Sequence, residues 1–205
     1  MADRLTTLTL SFKTREQLIM ESHAIAPFRY NFRAPGLSVR GPILFAHGPS
    51  SLGQVLIGRS QAGICAIFID DSADALVGQL TQAFPREKLL RDQAALQEDL
   101  HQVIAFLERM PPTHAVDLDI GGTPFQQKVW RALCHIPSGQ TCSYTELARQ
   151  VCRPDAVRAV AGACASNVLA IAIPCHRVVR SDGSITGYRW GIARKRALIE
   201  QERRQ

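Results

Sequence analysis

Nowhere do these 205 residues hold an apolar run near the ~20 residues that a membrane helix requires. The N-terminal stretch has no short apolar core followed by a small-residue cleavage site, so no secretory signal is expected and the expected compartment is the cytoplasm. The six cysteines, at 65, 134, 142, 152, 164 and 175, form no Cys-x-x-Cys pair, and none has a histidine at zinc-finger spacing. That pattern excludes the common structural zinc sites and, in a cytosolic chain, argues for reduced thiols rather than a disulfide framework. A P-loop is missing too, which leaves no sign of nucleotide-phosphate chemistry.

What is present is ordinary in bulk: 46% hydrophobic, 20% charged, and long enough for one large domain or two small ones. The charge, however, is lopsided. Residues 121–205 carry 13 Lys and Arg against 5 Asp and Glu, a net of +8; residues 1–120 carry 11 against 13, a net of −2. A basic half joined to a near-neutral one is the footprint of a polyanion partner, with nucleic acid first; a merely solvated basic surface is the alternative.

Residues 1–40 read as a leader of unclear role, with Leu8, Leu10 and Phe12 alternating as in a short strand. From Gly41 to about 115 the pattern predicts an α/β domain. Pro42–Ala46, Gln54–Arg59 and Ile64–Ile69 read as strands; Asp71–Phe84 and Asp92–Met110 read as amphipathic helices stopped by prolines. Ala115 to Gly122 reads as a linker with one short strand. Residues 120–205 then predict a mostly helical unit. Thr123-Pro124-Phe125-Gln126 has the capping hydroxyl, N1 proline and N3 glutamine of a helix start. Thr145–Val151 and Pro154–Ala165 form a helix-turn-helix pattern, and a last helix runs from Ile192 to Arg203. The second helix of the pair is almost all alanine and glycine around Arg158. Such a helix packs closely against a neighbour, or presses into a narrow groove with Arg158 reaching between bases. With few polar residues aimed at base edges, it points to shape-tolerant binding rather than sequence readout.

The chemistry is centred on Ile173-Pro174-Cys175-His176-Arg177-Val178, entered from the strand-like run Val168 to Ile173. Pro174 lacks an amide hydrogen, so regular pairing should stop just before the thiol. A cysteine is nucleophilic only as thiolate and needs a base or a positive field, which His176, Arg177 and Arg180 could offer. A packed core cysteine beside a surface histidine is the competing reading. Glu202, near the chain end, reads from the sequence alone as a solvated charge.

Taken together, Phe125-Gln126-Gln127-Lys128-Val129-Trp130, Ser143-Tyr144, Ala156-Val157-Arg158-Ala159-Val160, Asn167, Ile173 to Val179 and Gly187-Tyr188-Arg189-Trp190-Gly191 resemble the O6-alkylguanine-DNA alkyltransferase family, in particular the alkyltransferase half of Ada-type proteins. The resemblance covers about residues 50–205. It implies a ribonuclease-H-like N-terminal domain followed by a winged-helix/helix-turn-helix domain. The Ada-type zinc module is not matched, since no cysteine precedes Cys65, so a repair protein without the transcriptional switch is expected.

The implied activity is irreversible, single-turnover transfer of the alkyl group from O6-alkylguanine, and from O4-alkylthymine, in duplex DNA to Cys175. By the same resemblance His176 takes the thiol proton through a water, Glu202 orients His176, and Tyr144 donates to N3 of the leaving guanine. Asn167 ties the recognition helix to the active-site strand; an asparagine ending a helix in the left-handed conformation is its alternative. Arg158 fills the space that the everted base vacates. Thr145, Arg153 and Ser181 contact phosphate or sugar, although Arg153 and Ser181 could equally be plain surface residues. No metal and no cofactor are implied. The implied partner is double-stranded DNA, approached from the minor groove with little sequence preference, by a monomer with no membrane association. A lesion sensor that lacks the chemistry, a winged-helix regulator and a multiple-turnover cysteine hydrolase are the competing functions.

Overall fold

The structure is a computed structural model that describes residues 27–151 and 153–204. The alternation expected through Leu8, Leu10 and Phe12, and Cys152, lie outside the described residues. Three strands come from one continuous stretch: β2 (Ile43–Ser50), β3 (Gly53–Ser60) and β4 (Gly63–Asp70), paired antiparallel. The two turns between them repeat one device. A serine ends one strand, a glycine opens the next, and Ser50 and Ser60 donate their hydroxyls to the carbonyls of Gly53 (2.7 Å) and Gly63 (3.1 Å). Gly63 has a φ of +148°, and a Cβ there would stand 2.5 Å from the Asp117 carbonyl oxygen, so a side chain has no room.

Two stretches expected outside this sheet lie within it. β1 (Phe28–Phe32) runs parallel to β6 (Val116–Ile120), β6 touches β4 at Ile64–Leu118, and a short β5 (Leu89–Arg91) runs parallel to β2. The strand order is β1-β6-β4-β3-β2-β5. The sheet thus begins at Phe28, inside the expected leader, and the 115–122 segment is a strand rather than a linker. β1 gives little apolar alternation because Arg29, Tyr30 and Asn31 are exposed at the sheet's margin. Helices α1 (Ala73–Ala83) and α2 (Gln97–Leu107) pack on the sheet. The second is shorter than expected, since Asp92 spends its carboxylate on the Ala95 amide (3.0 Å) in a turn that precedes the helix.

The remaining chain is mostly helical. α3 (Pro124–Cys134) starts with the expected reciprocal cap, Thr123 and Gln126 each bonding the other's amide at 2.9 and 3.2 Å. α4 (Tyr144–Gln150) is capped the same way by Ser143 and Glu146. α5 (Val157–Ala165) begins three residues later than expected, because a turn closed by Ala156 N–H to the Arg153 carbonyl (2.9 Å) takes up Pro154 and Asp155. Trp130 Nε1 donates to the Ala163 carbonyl (2.8 Å) and joins α3 to α5. Two-residue strands β7 (Cys142–Ser143) and β8 (Val178–Val179) pair in parallel, and α6 (Ile192–Arg203) closes the fold.

α6 also clasps the sheet-bearing half. Arg194 Nε donates to the Leu52 carbonyl (2.8 Å) and Gln201 Nε2 to the Leu107 carbonyl (3.0 Å), and one apolar core runs through both halves. Among the described residues no helix is long and apolar enough to cross a membrane.

Candidate active site

The apolar run Val168 to Ile173 is not the strand its composition suggests. Only Leu169 pairs, as an isolated bridge with Ile67 on the edge of β4 beyond the end of β6; Ile67 N–H donates to the Val168 carbonyl (2.8 Å) and Ala170 N–H to that of Ile67 (3.0 Å). Ile171 then turns through a left-handed φ of 58°. A buried, irregular segment must satisfy its polar backbone somehow. Asn167 does this from inside: its Nδ2 donates to the carbonyls of Ile173 (2.9 Å) and Leu169 (3.3 Å), and its Oδ1 accepts from the Leu169 amide (2.8 Å). The same Nδ2 lies 3.2 Å from Cys175 Sγ. Asn167 is fully buried and does not carry the positive φ of a left-handed helix end.

Cys175 opens a single 3-10 turn, Cys175–Arg177, behind Pro174. The thiol is 4% exposed, and burial pushes it up to about 11, against the Asn167 amide and the positive charges of Lys195 and Arg189. It is therefore protonated near neutrality. The field expected from Arg177 and Arg180 is not what reaches it. Arg177 turns away, with Nε and Nη2 each 2.9 Å from the Glu202 carboxylate and Nη1 2.6 Å from the Ile136 carbonyl. Arg180 lines the outer groove instead.

His176 follows in the same turn, 1% exposed. Its Nε2 lies 2.9 Å from Glu202 Oε1. Burial would push the Glu202 carboxyl up, yet hydrogen bonds from His176 and Arg177 outweigh it and hold the group down near about 2. An ionised carboxylate can only accept, so the ring proton sits on Nε2 and, in the neutral imidazole, Nδ1 presents its lone pair. Nδ1 is buried with no partner among the described residues. Burial lowers the imidazole's own pKa, against the pull of Glu202. Glu202, read from the sequence as a solvated charge, is 5% exposed and also lies 3.2 Å from Arg109 and 3.3 Å from the Gly139 amide.

Cys175 forms one wall of a cavity of about 310 Å³, shared with Tyr144, Ala161, Cys164, Gly187 and Tyr188. That is the lower end of the range for small-ligand pockets. Tyr144 opens α4, and burial pushes its phenol up to about 12, so it remains a hydrogen-bond donor. The cavity opens, past Tyr144, Ala161 and Gly187, into a groove of about 470 Å³ that also holds Thr145, Arg158 and Ser181. Arg158 is exposed there, and Thr145 Oγ1 and Ser181 Oγ lie 3.2 Å apart. Small side chains on α5 leave the cavity its depth. Arg153 is the expected residue that the structure does not bring in; it is exposed outside this groove and lies 3.8 Å from Asp155.

Residues that sequence reasoning missed also converge here. Lys195 is fully buried and donates to the carbonyls of Thr186 (2.8 Å) and Gly187 (3.2 Å), fixing the loop that forms the cavity's outer lip. Tyr188 stands edge-on to His176 with ring centroids 6.4 Å apart. Arg177 and Arg109 hold Glu202. Of these, Arg177 carried a signal as the residue after Cys-His and Tyr188 as part of Gly187-Tyr188-Arg189-Trp190-Gly191; Lys195 and Arg109 carried none. Among the described residues no group of three or more His, Cys, Asp or Glu converges as a metal site.

A family model described as the 6-O-methylguanine DNA methyltransferase DNA-binding domain matches residues 124–204. The chain is 46% identical over 160 residues to the bifunctional transcriptional activator/DNA repair enzyme Ada of Escherichia coli K12, an alignment covering 78% of this chain and 45% of that protein. It is 41% identical over 121 residues to the inducible methylated-DNA–protein-cysteine methyltransferase of Bacillus subtilis 168, covering 59% of this chain and 68% of that one. The chain spans less than half the length of the curated Ada relatives it matches. Among solved structures, Mycobacterium tuberculosis OGT in complex with DNA superposes with a TM-score of 0.66 at 34% identity, over 78% of this chain and 93% of that one.

Proposed function

The chain belongs to the methylated-DNA–protein-cysteine methyltransferase family, and from that membership and the site we propose that it repairs DNA directly, by moving the alkyl group of O6-alkylguanine in duplex DNA onto Cys175. The alkyl carbon is out of reach inside a base stack, so the damaged base must be everted into the cavity beside the thiol. The carrying observation is the order of groups: a buried thiol on the wall of the cavity, a histidine with a bare Nδ1 next to it in the same turn, and a carboxylate behind that histidine.

The step runs as follows. A bridging water takes the thiol proton and passes its own to His176 Nδ1, while Glu202 holds the imidazole and the imidazolium that forms. Sulfur bonds to the alkyl carbon, the carbon–O6 bond breaks, and its electron pair returns to the purine, whose N3 is supported by the phenol of Tyr144. Guanine leaves, and the thioether has no leaving group that would restore the thiolate. One chain therefore acts once, and O4-alkylthymine is a second substrate of the same kind.

The finer fold and partner assignments follow the same reading. The six-stranded sheet is taken as ribonuclease-H-like, and α4 and α5 with β7 and β8 as a winged helix. Duplex DNA lies along the Thr145–Arg158–Ser181 groove with its minor groove inward, and Arg158 takes the place of the everted base. Asn167 is the positioning residue that holds Cys175 under α5. The protein acts as a monomer in the cytoplasm and recognises shape rather than sequence.

The test is a duplex carrying O6-methylguanine with a labelled methyl. Label should pass to the protein at one equivalent per chain and be lost in Cys175→Ser. Binding without transfer would replace this reading with a lesion sensor, and continued turnover would replace it with a hydrolase. Arg158→Ala should slow repair of duplex far more than reaction with free O6-benzylguanine; equal losses would remove Arg158 from base eversion.

A further inference from the structure

Arg109 follows α2 in a conformation that suits glycine. Its φ is 62°, its N–H donates to the Phe106 carbonyl (3.2 Å), and the next N–H, of Met110, reaches back to that of Ala105 (2.8 Å). Those two bonds make the Schellman ending of a helix, whose left-handed position glycine usually fills because a Cβ is strained there. A long cationic side chain at this point incurs that strain, and an observed outlier of this kind invites a functional question. The side chain is mostly buried. Its Nη2 lies 3.2 Å from Glu202 Oε1, the same oxygen that His176 Nε2 contacts at 2.9 Å, and 3.3 Å from the Ser138 hydroxyl.

We propose that Arg109 is a positioning residue of the proton relay: it fixes Glu202 behind His176 and keeps the imidazole in its neutral, proton-accepting form. This rests on His176 being the base for Cys175. Every element packed against the pair contributes. From the 3-10 turn come Cys175 and the Arg177 guanidinium, which alone matches the carboxylate's charge. From the turn after α3 come the Ser138 hydroxyl and the Gly139 amide, and from the loop before α6 the edge of the Tyr188 ring. Phe106, Leu107, Ile171 and Leu198 are the apolar neighbours. Arg109 is the second cation on one carboxylate, so the cluster already carries an excess of positive charge. A third cation, the imidazolium, is disfavoured there. The same arginine comes from the sheet-bearing half, so docking of the two halves sets the protonation of the site.

The experiment uses the full chain and three variants. In Arg109→Gly the helix ending keeps a residue suited to it, Arg109→Lys keeps the charge, and Arg109→Gln is a neutral side chain should the glycine variant lose its cooperative melt. His176 is followed by NMR titration, its signal assigned by its loss in His176→Gln, and the single-turnover methyl-transfer rate is measured across the same pH range. In the glycine or glutamine variant the His176 midpoint should rise by roughly one pH unit, the scale on which a neighbouring charge acts. The acid limb of the rate should move up with it, for a roughly tenfold loss at the acid end. Lysine should restore most of both. A midpoint unmoved in the neutral variants, with a rate loss uniform across pH, overturns the proposal. A midpoint that moves as expected in a protein that transfers no methyl group sustains the charge effect and defeats the repair reading instead.

Discussion

The two sides of the His176 ring are built on opposite principles. On the Cys175 side the surroundings are mostly apolar, the neutral amide of Asn167 donates to the sulfur, and the thiol is pushed up to about 11. On the Glu202 side two guanidiniums, a backbone amide and the imidazole crowd one carboxylate held near about 2. The carboxylate and its two guanidiniums are gathered behind the histidine, while the positive charges that reach the sulfur, from Lys195 and Arg189, do not outweigh its burial. In the proposed chemistry this makes the nucleophile neutral and inert at rest, with thiolate formed only when His176 takes the proton. A stronger positive field at the thiol would hold it as thiolate at rest, expose it to oxidation and lower its nucleophilicity.

Removing the charged side should have the largest effect. Glu202→Gln leaves two buried guanidiniums without their counter-charge and frees the histidine tautomer. We expect a loss of about 10²–10⁴ in transfer rate, the span of general acid–base catalysis. Stability should fall by about 3–5 kcal/mol in urea unfolding, the cost of stripping one partner from a buried ion pair. The pH dependence has a definite sign. A carboxyl whose folded pKa is depressed from 4.5 to about 2 contributes stability that is complete above 4.5 and lost as pH falls toward about 2. The gap between wild type and variant should therefore close over that window. A gap constant with pH would mean that Glu202 is not ionised in the fold.

The neutral side should be more forgiving. Asn167→Ala leaves the Leu169 amide unpaired in the interior, at about 1–3 kcal/mol, read by urea unfolding, while the Ile173 carbonyl keeps the Cys175 amide (2.8 Å). The rate should fall as well, because Cys175 loses its anchor, while the pH of half-maximal rate stays where it was. A shifted pH profile would mean that Asn167 tunes charge instead. Tyr144→Phe removes one donor to the leaving purine and should slow transfer about tenfold to a hundredfold, the worth of a hydrogen bond to a developing charge, with little change in unfolding. An unchanged rate would move leaving-group support to another residue.

The same contrast explains what was legible in the sequence. The start of α3 was, because Thr123 carries its cap in local spacing, whereas the starts of α2 and α5 were displaced by turns that precede them. The cysteine and the histidine were equally plain, since they are adjacent in one contiguous motif, while the small residues of α5 were legible as a thin helix and not as a cavity wall. The charged side was not. Glu202 acquires its partners from residues as distant as Arg109, and nothing local distinguishes an arginine in a left-handed helix ending from a surface one. The Val168–Ile173 run misleads for a related reason. Its branched apolar residues suit a strand, yet Asn167 satisfies its backbone from within, so it needs only one bridge to β4. β1 escapes notice because its partner strand lies some eighty-eight positions away and its own middle is polar.

The most direct test of the account is the mass of the peptide containing position 175 after the protein has met duplex DNA bearing O6-methylguanine. The account predicts one added methyl group on Cys175, in every chain that has reacted and on no other cysteine. An unmodified Cys175 in a folded, DNA-bound protein, or a methyl group on Cys164 instead, would contradict it.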